Sequence, residues 1–205
     1  MELYEMTVDA LTPEDVAVLS ETRLAYAAQY RFEKSRLLCL AAGVMLDRGL
    51  RQYGLRERSV RIARSIYGKP YLPDHPQIHF SLSHSGERAL AVFSGREIGC
   101  DVECIRPVNP AVAERRFTPE ELARLRCSRQ PEVDFFRLWT CKESFLKALG
   151  TGLQTPLDAF TVRLRQESAE LVQTLHPSRW TLTEFDRPGC RIAVCEESPP
   201  YPEHV

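Results

Sequence analysis

The order of helix and strand signals repeats along this chain, which indicates an internal duplication. Residues 12–15 (TPED) and 118–121 (TPEE) each place a threonine before a proline and two acids, a pattern typical of a helix start. A longer helical pattern and then strand-like segments follow each start. We therefore predict an α+β fold of two similar halves, residues 1–100 and 101–205, related by a pseudo-twofold axis, with the active site at their interface.

Six segments that combine apolar or β-branched residues with turn signals at their ends are predicted to be strands. Residues 98–103 (IGCDVE) alternate, so Asp101 and Glu103 should lie on the same face of their strand. The predicted strands are residues 78–83, 90–93 and 98–103 in the first half, and residues 160–164, 180–185 and 191–195 in the second half.

A third acid, Glu143, lies in a predicted helix between Trp139 and Lys147. These three residues are spaced four apart and form one stripe on the helix. Together with Asp101 and Glu103, Glu143 supplies the oxygen ligands that a hard cation prefers beside a phosphorylated substrate. Two plainer alternatives stay open, because acids on an edge strand and a surface ion pair between Glu143 and Lys147 also produce this pattern.

Composition excludes several classes of function. The 205 residues include 27 basic and 28 acidic side chains, whereas a general nucleic-acid-binding protein should carry a basic surplus. The N-terminus is acidic where a signal peptide would be basic, and no apolar run reaches membrane length. We expect a cytoplasmic protein that binds neither nucleic acid nor a membrane.

The seven cysteines include no C-x-x-C pair, and we expect them to be small, reduced core residues. A zinc site through Cys100 and Cys104, which share a strand face, is a weaker alternative, because no second pair stands at ligand spacing.

Lysine is rare in this chain, and its positions are informative. Only four of the 27 basic residues are lysines, namely Lys34, Lys69, Lys142 and Lys147. A compact ammonium suits phosphate chemistry, and two of the four lysines flank Glu143. Chance in an arginine-rich composition stays open as the explanation for one or two of them.

Residues 80–86 (FSLSHSG) are predicted to be a strand that runs into a Ser-His-Ser-Gly turn. The hydroxyls, the imidazole and the exposed amides of such a turn can bind phosphate. A serine-hydrolase pair of Ser83 and His84 is disfavoured, because adjacent residues on a strand point to opposite faces.

Five segments in this order resemble the 4′-phosphopantetheinyl transferases, specifically the surfactin-synthetase-activating type, which has two similar halves in one chain. The resemblance covers roughly residues 30–195, and the tandem of G-x-D-x-E and W-x-x-K-E-x-x-x-K is its most specific part. The segments are residues 68–70 (GKP), 80–86 (FSLSHSG), 98–103 (IGCDVE), 116–121 (RFTPEE) and 138–147 (LWTCKESFLK).

The resemblance implies an enzyme that moves the phosphopantetheine arm of coenzyme A onto a serine of an apo acyl or peptidyl carrier protein and releases adenosine 3′,5′-bisphosphate. It implies Mg²⁺ held by Asp101, Glu103 and Glu143 together with the coenzyme diphosphate, and catalytic roles for Glu143 and Lys147. We expect a monomer, because one chain would supply both sides of the cleft.

Further residues are implied to bind the coenzyme, with Arg36 placed at its 3′-phosphate. Upstream of Arg36 the chain departs from the family pattern, and only Arg23 and Arg31 are candidates to assist there. Two other classes stay open: a different magnesium-dependent phosphoryl enzyme, and a non-catalytic module that binds coenzyme or carrier. The predicted coenzyme-binding residues are Arg36, Lys69, Ser83, His84 and Lys142.

Overall fold

The structure is a computed structural model that describes residues 1–199. Within these residues the α-helices are α1 (Pro13–Ala17), α2 (Glu21–Ala28), α3 (Glu33–Leu50), α4 (Pro110–Arg116), α5 (Pro119–Arg126) and α6 (Pro131–Leu149). The strands are β1 (Glu2–Thr7), β2 (Ala63–Arg64), β3 (Pro70–Tyr71), β4 (His79–Ser85), β5 (Arg88–Ser94), β6 (Ile98–Cys104), β7 (Thr161–Leu164), β8 (Ala169–Val172), β9 (Trp180–Arg187) and β10 (Cys190–Glu197).

The first half is an antiparallel sheet of order β1-β5-β4 covered by the long helix α3. Its core is formed by buried apolar side chains from both layers, among them Leu46 of α3 and Phe93 of β5. A Cβ atom on Gly49 would lie 1.9 Å from the Phe93 ring, so the helix approaches the sheet closely at this point. The antiparallel hairpin of β2 and β3 lies in the connection between α3 and β4.

The second half repeats this arrangement with a sheet of order β6-β10-β9 and the long helix α6. Phe145 and Leu146 of α6 pack with Ala193 of β10 in its core. The shorter helices α4 and α5 precede α6, and the hairpin of β7 and β8 follows it.

The two halves meet where β4 lies beside β6, and serine side chains make the hydrogen bonds there. Three alternate residues of β4 place their hydroxyls on one side of the strand, and each hydroxyl accepts a backbone N–H of β6. The bonds join Cys100 N to Ser81 Oγ (3.1 Å), Val102 N to Ser83 Oγ (3.3 Å) and Cys104 N to Ser85 Oγ (3.2 Å). These three hydrogen bonds therefore hold β6 against β4 at every second residue.

The predicted α+β class is confirmed, and a strand covers each of the six predicted strand segments for all or nearly all of its length. Both predicted helix starts carry a capping box, at Thr12 and at Thr118. The strands β1, β2, β3 and β8 were not predicted from the sequence. The proposed boundary between residues 100 and 101 falls inside β6, and residues 200–205 of the predicted second half lie outside the described part.

One local prediction is wrong. The strand β4 continues through Ser85, and the chain turns only at residues 86 and 87. Ser83 and His84 are therefore strand residues, so their amides do not form the predicted turn. Ser83 is buried and His84 is exposed, as the alternation of a strand requires.

None of the helices within residues 1–199 combines the length and the apolar character needed to cross a membrane.

Candidate active site

Three elements contribute side chains to one hydrogen-bonded cluster at the seam between the halves. Oδ1 of Asp101, on β6, accepts a hydrogen bond of 2.8 Å from Ser83 Oγ of β4 and one of 2.7 Å from Lys147 Nζ of α6. Lys147 Nζ also donates to Ser83 Oγ, at 3.0 Å. The cluster therefore joins the G-x-D-x-E segment, the serine strand and the helix that carries the W-x-x-K-E segment.

Glycine at position 99 lets these elements come together. A Cβ atom there would lie 2.1 Å from the backbone oxygen of Ser144 and 2.3 Å from the amide nitrogen of Ala148, so β6 and α6 touch through their backbones. The strand alternation then places Asp101 and Glu103 on the α6 side, and the four-residue spacing places Glu143 and Lys147 on the facing stripe.

Glu103 is held by two donors of its own. Its Oε2 atom accepts a hydrogen bond of 2.9 Å from Ser85 Oγ and one of 2.8 Å from Arg106 Nη1. Because Ser85 also accepts the amide of Cys104, one side chain positions both the strand and its carboxylate.

The acids and Lys147 share one electrostatic environment. Burial raises the pKa of Asp101, and the charge of Glu103 adds to this while Lys147 opposes it. Burial and the charges of Asp101 and Glu103 likewise raise the pKa of Glu143. Although burial alone would lower it, the pKa of Lys147 is raised by the carboxylate of Asp101. The three carboxylates therefore repel one another, and Lys147 and Arg106 together offset only part of their charge.

The negative charge of this cluster and one unpaired oxygen favour a divalent cation. The second oxygen of Asp101, Oδ2, is buried and has no hydrogen-bond partner, which is unusual for a carboxylate oxygen. Hard cations take carboxylate oxygens as ligands and would compensate the excess negative charge. Among residues 1–199, however, no group of three or more His, Cys, Asp or Glu side chains is arranged so that it could hold a metal ion. Asp101, Glu103 and Glu143 therefore do not form a ready-made metal site in this structure.

A cleft leads to this cluster from the first half. A cavity of about 200 Å³ is bordered by Lys69, Ser81, Lys147 and Gly150, and a neighbouring cavity of about 390 Å³ also borders Lys69. A larger cavity of about 630 Å³ lies elsewhere, around Arg137, and includes none of the predicted site residues. We place the site at the cavity of about 200 Å³, because Lys147, which contacts Asp101, borders it.

Lys69 borders both small cavities and is anchored at its tip. Its ammonium forms an ion pair with Glu97 and donates a hydrogen bond of 2.7 Å to the backbone oxygen of Ala148. The side chain thus crosses from the loop before β3 to the end of α6.

The remaining predicted coenzyme residues lie in different environments. The His84 imidazole is exposed, and partial desolvation and the charge of Lys147 lower its pKa. Arg36 is half exposed in the first turn of α3, 3.7 Å from the carboxylate of Glu33.

Arg23 is mostly buried against Glu57, at 3.2 Å, whereas Arg31 is exposed. Arg31 is therefore the better candidate to assist Arg36.

The structure does not support the prediction that Lys142 binds the coenzyme. Its side chain is fully buried, and its ammonium contacts the carboxylate of Glu121 at 2.7 Å and the backbone oxygens of Leu157 and Phe160 at 2.7 and 2.6 Å. All three N–H donors are therefore used inside the second half. Lys142 stabilises the packing of α6 and does not line the cleft.

Ser85 and Arg106 were not identified from the sequence, although both contact Glu103. A signal was available for Ser85, since Ser81, Ser83 and Ser85 alternate along a predicted strand and mark one polar face. Arg106 follows the strand in an irregular segment, and no periodic pattern indicates its direction.

Comparison with known proteins identifies the family of this chain. Residues 97–195 match the family described as the 4′-phosphopantetheinyl transferase superfamily. The 4′-phosphopantetheinyl transferase Sfp of Bacillus subtilis (strain 168) is 39% identical over 160 residues, which are 76% of this chain and 71% of Sfp. The chain belongs to this superfamily. It is a 4′-phosphopantetheinyl transferase by enzyme class, and the segments that carry the acids and Lys147 lie inside the matched region.

Another 4′-phosphopantetheinyl transferase, HetI of Nostoc sp. (strain PCC 7120), is 36% identical over 178 residues, which are 82% of this chain and 74% of HetI. Among solved structures, the holo-[acyl-carrier-protein] synthase of Neisseria meningitidis aligns with 50% of this chain and 98% of its own, at 22% identity and a TM-score of 0.44.

Proposed function

We propose that this phosphopantetheinyl transferase takes its group from coenzyme A, attaches it to a serine of an apo carrier protein and releases adenosine 3′,5′-bisphosphate in a magnesium-dependent reaction. The observation that carries this proposal is the convergence of Ser83, Asp101 and Lys147 beside a cleft that Lys69 also borders. A phosphoryl-type transfer needs positioned charge more than covalent chemistry, and this cluster supplies both signs of charge.

Lys147 would neutralise the diphosphate of the coenzyme as the carrier serine attacks. A diphosphate repels a nucleophile through its own negative charge, and an ammonium beside it reduces that repulsion. The side chain of Lys147 is 30% exposed, so a substrate can reach it, while contacts with Asp101 and Ser83 fix the position of its ammonium.

Asp101, Glu103 and Glu143 would hold magnesium together with oxygens of the diphosphate. When bound, this ion supplies charge neutralisation at the phosphoryl group. Ser85 and Arg106 would fix the orientation of Glu103, and Ser83 that of Asp101.

Glu143 would accept the proton of the carrier serine, directly or through a water molecule. It lies on the same stripe of α6 as Lys147, one turn earlier, so both side chains face the seam. A carboxylate is a suitable general base only where the attacking hydroxyl comes within hydrogen-bond reach.

Coenzyme recognition would use the residues around the cleft. Lys69 would contact the nucleotide, and His84 the diphosphate. Arg36 would bind the 3′-phosphate with Arg31 as its assistant. The halves at residues 1–100 and 101–205, a monomeric state and a cytoplasmic location also remain proposals; the monomer is supported by both sides of the cleft coming from one chain.

The decisive experiment incubates the full chain with coenzyme A, Mg²⁺ and a panel of apo acyl and peptidyl carrier domains, and measures the intact mass of each carrier. We expect at least one carrier to gain one phosphopantetheine group, with formation of adenosine 3′,5′-bisphosphate. A carrier whose acceptor serine is replaced by alanine and a reaction with chelator are the controls. Unmodified carriers across the panel, with coenzyme binding retained, would instead favour a non-catalytic binding module.

A further inference from the structure

Two cysteines face each other across β6 and β10. Cys104 and Cys190 are direct partners in the antiparallel register, and their Sγ atoms are 2.9 Å apart. The next pair of residues is joined by a backbone hydrogen bond of 2.8 Å, from Ile105 N to Gly189 O. The two cysteines therefore occupy a position without backbone hydrogen bonds, where facing side chains lie closest.

This geometry is close to that of a disulfide. At such positions the Cα atoms of facing residues are about 4.5 Å apart, which is inside the range that a disulfide tolerates. The sulfur atoms of a disulfide are about 2.05 Å apart, so the two thiols need to approach by only about 1 Å. Both strands can keep their places in the sheet while the bond closes.

We propose that Cys104 and Cys190 form a dithiol modification site that a low-molecular-weight disulfide oxidises to an intramolecular disulfide.

Access to the pair is uneven and sets the order of the reaction. Cys190 is buried, whereas Cys104 is partly exposed. A Cβ atom on Gly86 would lie 2.3 Å from Cys104 Sγ, so glycine in the β4–β5 turn leaves room for this thiol. An incoming disulfide therefore meets Cys104 first.

The chemistry is two successive thiol–disulfide exchanges. Cys104 loses its proton and attacks one sulfur of the reagent, which breaks the reagent's S–S bond and releases one small thiol. Cys190 then loses its proton and attacks Cys104 Sγ, which forms the internal bond and releases the second small thiol. Two protein thiols are oxidised and one reagent disulfide is reduced, so two electrons and two protons pass to the products.

The bond would close on the face of β6 that points away from the acids. Cys104 alternates with Glu103 and belongs to the apolar cluster of Val102, Ile192 and Val194. Oxidation should therefore leave the acids in place. Because the linked residues are 86 positions apart, the bond also restricts the unfolded chain strongly.

The test uses the full chain with Cys127→Ser, which removes an exposed thiol. The protein is incubated with glutathione disulfide and then analysed by intact mass and by non-reducing peptide mapping. We expect loss of two hydrogen atoms, no retained glutathione, and one linked peptide pair that contains Cys104 and Cys190. The thermal midpoint should rise by about 5 °C or more and return on reduction, while the transfer rate stays unchanged.

Two variants in the same background are the controls. Cys190→Ala should keep glutathione on Cys104, because no second thiol completes the exchange, and Cys104→Ala should stay unmodified at Cys190. If Cys190→Ala does not fold, the mapping of the parent protein and Cys104→Ala still decide the question. Glutathione that persists on Cys104 of the parent, or two thiols that both remain alkylatable, would overturn the proposal.

Discussion

The ammonium of Lys147 on α6 lies 2.7 Å from Oδ1 of Asp101 on β6 and joins helix and strand of the second half beside the seam. Asp101 is buried, so its charge depends on this contact and on the hydroxyl of Ser83. The pair therefore combines two tasks, since it holds α6 on β6 and keeps a positive charge at the edge of the cleft. Stability and transfer should respond differently when the pair is changed.

Lys147→Met should lower the transfer rate by about 100-fold or more, with a smaller effect on the KM for coenzyme A, because in the proposed mechanism the lost charge acts mainly on the reacting phosphoryl group. It should also cost about 3 kcal/mol of unfolding free energy, because Asp101 is left buried without its partner. The double variant Lys147→Met/Asp101→Asn should regain much of that stability but no activity. Steady-state kinetics and urea unfolding measure the two effects, and unchanged turnover at saturating substrates would exclude the role of Lys147.

Gly99→Ala should destabilise the protein by at least about 2 kcal/mol, because the new methyl group would lie 2.1 Å from a backbone oxygen of α6. The helix must then move away from β6, and transfer should fall with it. Gly95→Ala is the matched control, since a Cβ atom there meets nothing within 4 Å. Thermal unfolding of both variants checks the prediction. Equal midpoints would show that the helix moves away from β6 without a loss of stability.

Lys142→Met tests the reassignment of Lys142 from the coenzyme to the core. It should cost about 3–5 kcal/mol of unfolding free energy, because Glu121 and two backbone oxygens lose a buried donor. The double variant Lys142→Met/Glu121→Gln should recover part of the loss. At temperatures below the unfolding transition, the KM for coenzyme A should stay near its original value. A large rise in KM without a loss of stability would show that Lys142 does bind the coenzyme.

Local sequence signals predicted the helix starts, most of the strands and the shared face of Asp101 and Glu103, because these depend on capping and on alternation within one segment. The helical spacing in the sequence also indicated where the side chain of Lys142 points, but we interpreted it wrongly. Lys142 and Lys147 are five residues apart and therefore point about 140° apart on a helix, so both could not face the same cleft.

Other features depend on tertiary contacts. The serine bonds of the seam require β4 to lie beside β6, and nothing in either segment alone indicates that hydroxyls will accept the amides of the other strand. The strand β1 was missed because its acids made the N-terminus look merely polar, and its partner β5 lies more than 80 residues later. The Lys69–Glu97 ion pair likewise joins distant loops.

Ser85→Ala should weaken the response to magnesium without abolishing transfer. The substitution removes the donor to Glu103 and the acceptor of the Cys104 amide, and it should cost about 1–2 kcal/mol. Ser81→Ala is the matched control, because Ser81 accepts the Cys100 amide in the same way. Both variants should lose similar stability, but only Ser85→Ala should require more Mg²⁺ for half-maximal rate. Identical magnesium titrations would show that Ser85 only supports the strand.

Glu97→Gln should change how stability depends on pH. The hydrogen bond from His79 and the ion pair with Lys69 lower the pKa of Glu97 from 4.5 to about 2. A carboxyl whose pKa is lower in the folded state stabilises the fold above the unfolded value and loses this effect as the pH falls towards the folded value. The stabilisation by Glu97 should therefore be complete above about pH 5 and decline between pH 4.5 and 2.

The measurement is the urea midpoint of the original protein and of Glu97→Gln at pH 6 and near pH 3. We expect the original protein to be more stable by about 1 kcal/mol or less at the higher pH, since Glu97 is 44% exposed and solvent screens the pair. The difference should shrink at the lower pH, because the unfolded chain then holds a proton on Glu97 that folding has to release. When Lys69 is replaced by methionine in both proteins, the difference in their stability at pH 6 should already be smaller. A gap that is constant with pH would mean that Glu97 acts through packing and that its charge does not anchor Lys69 beneath the cleft.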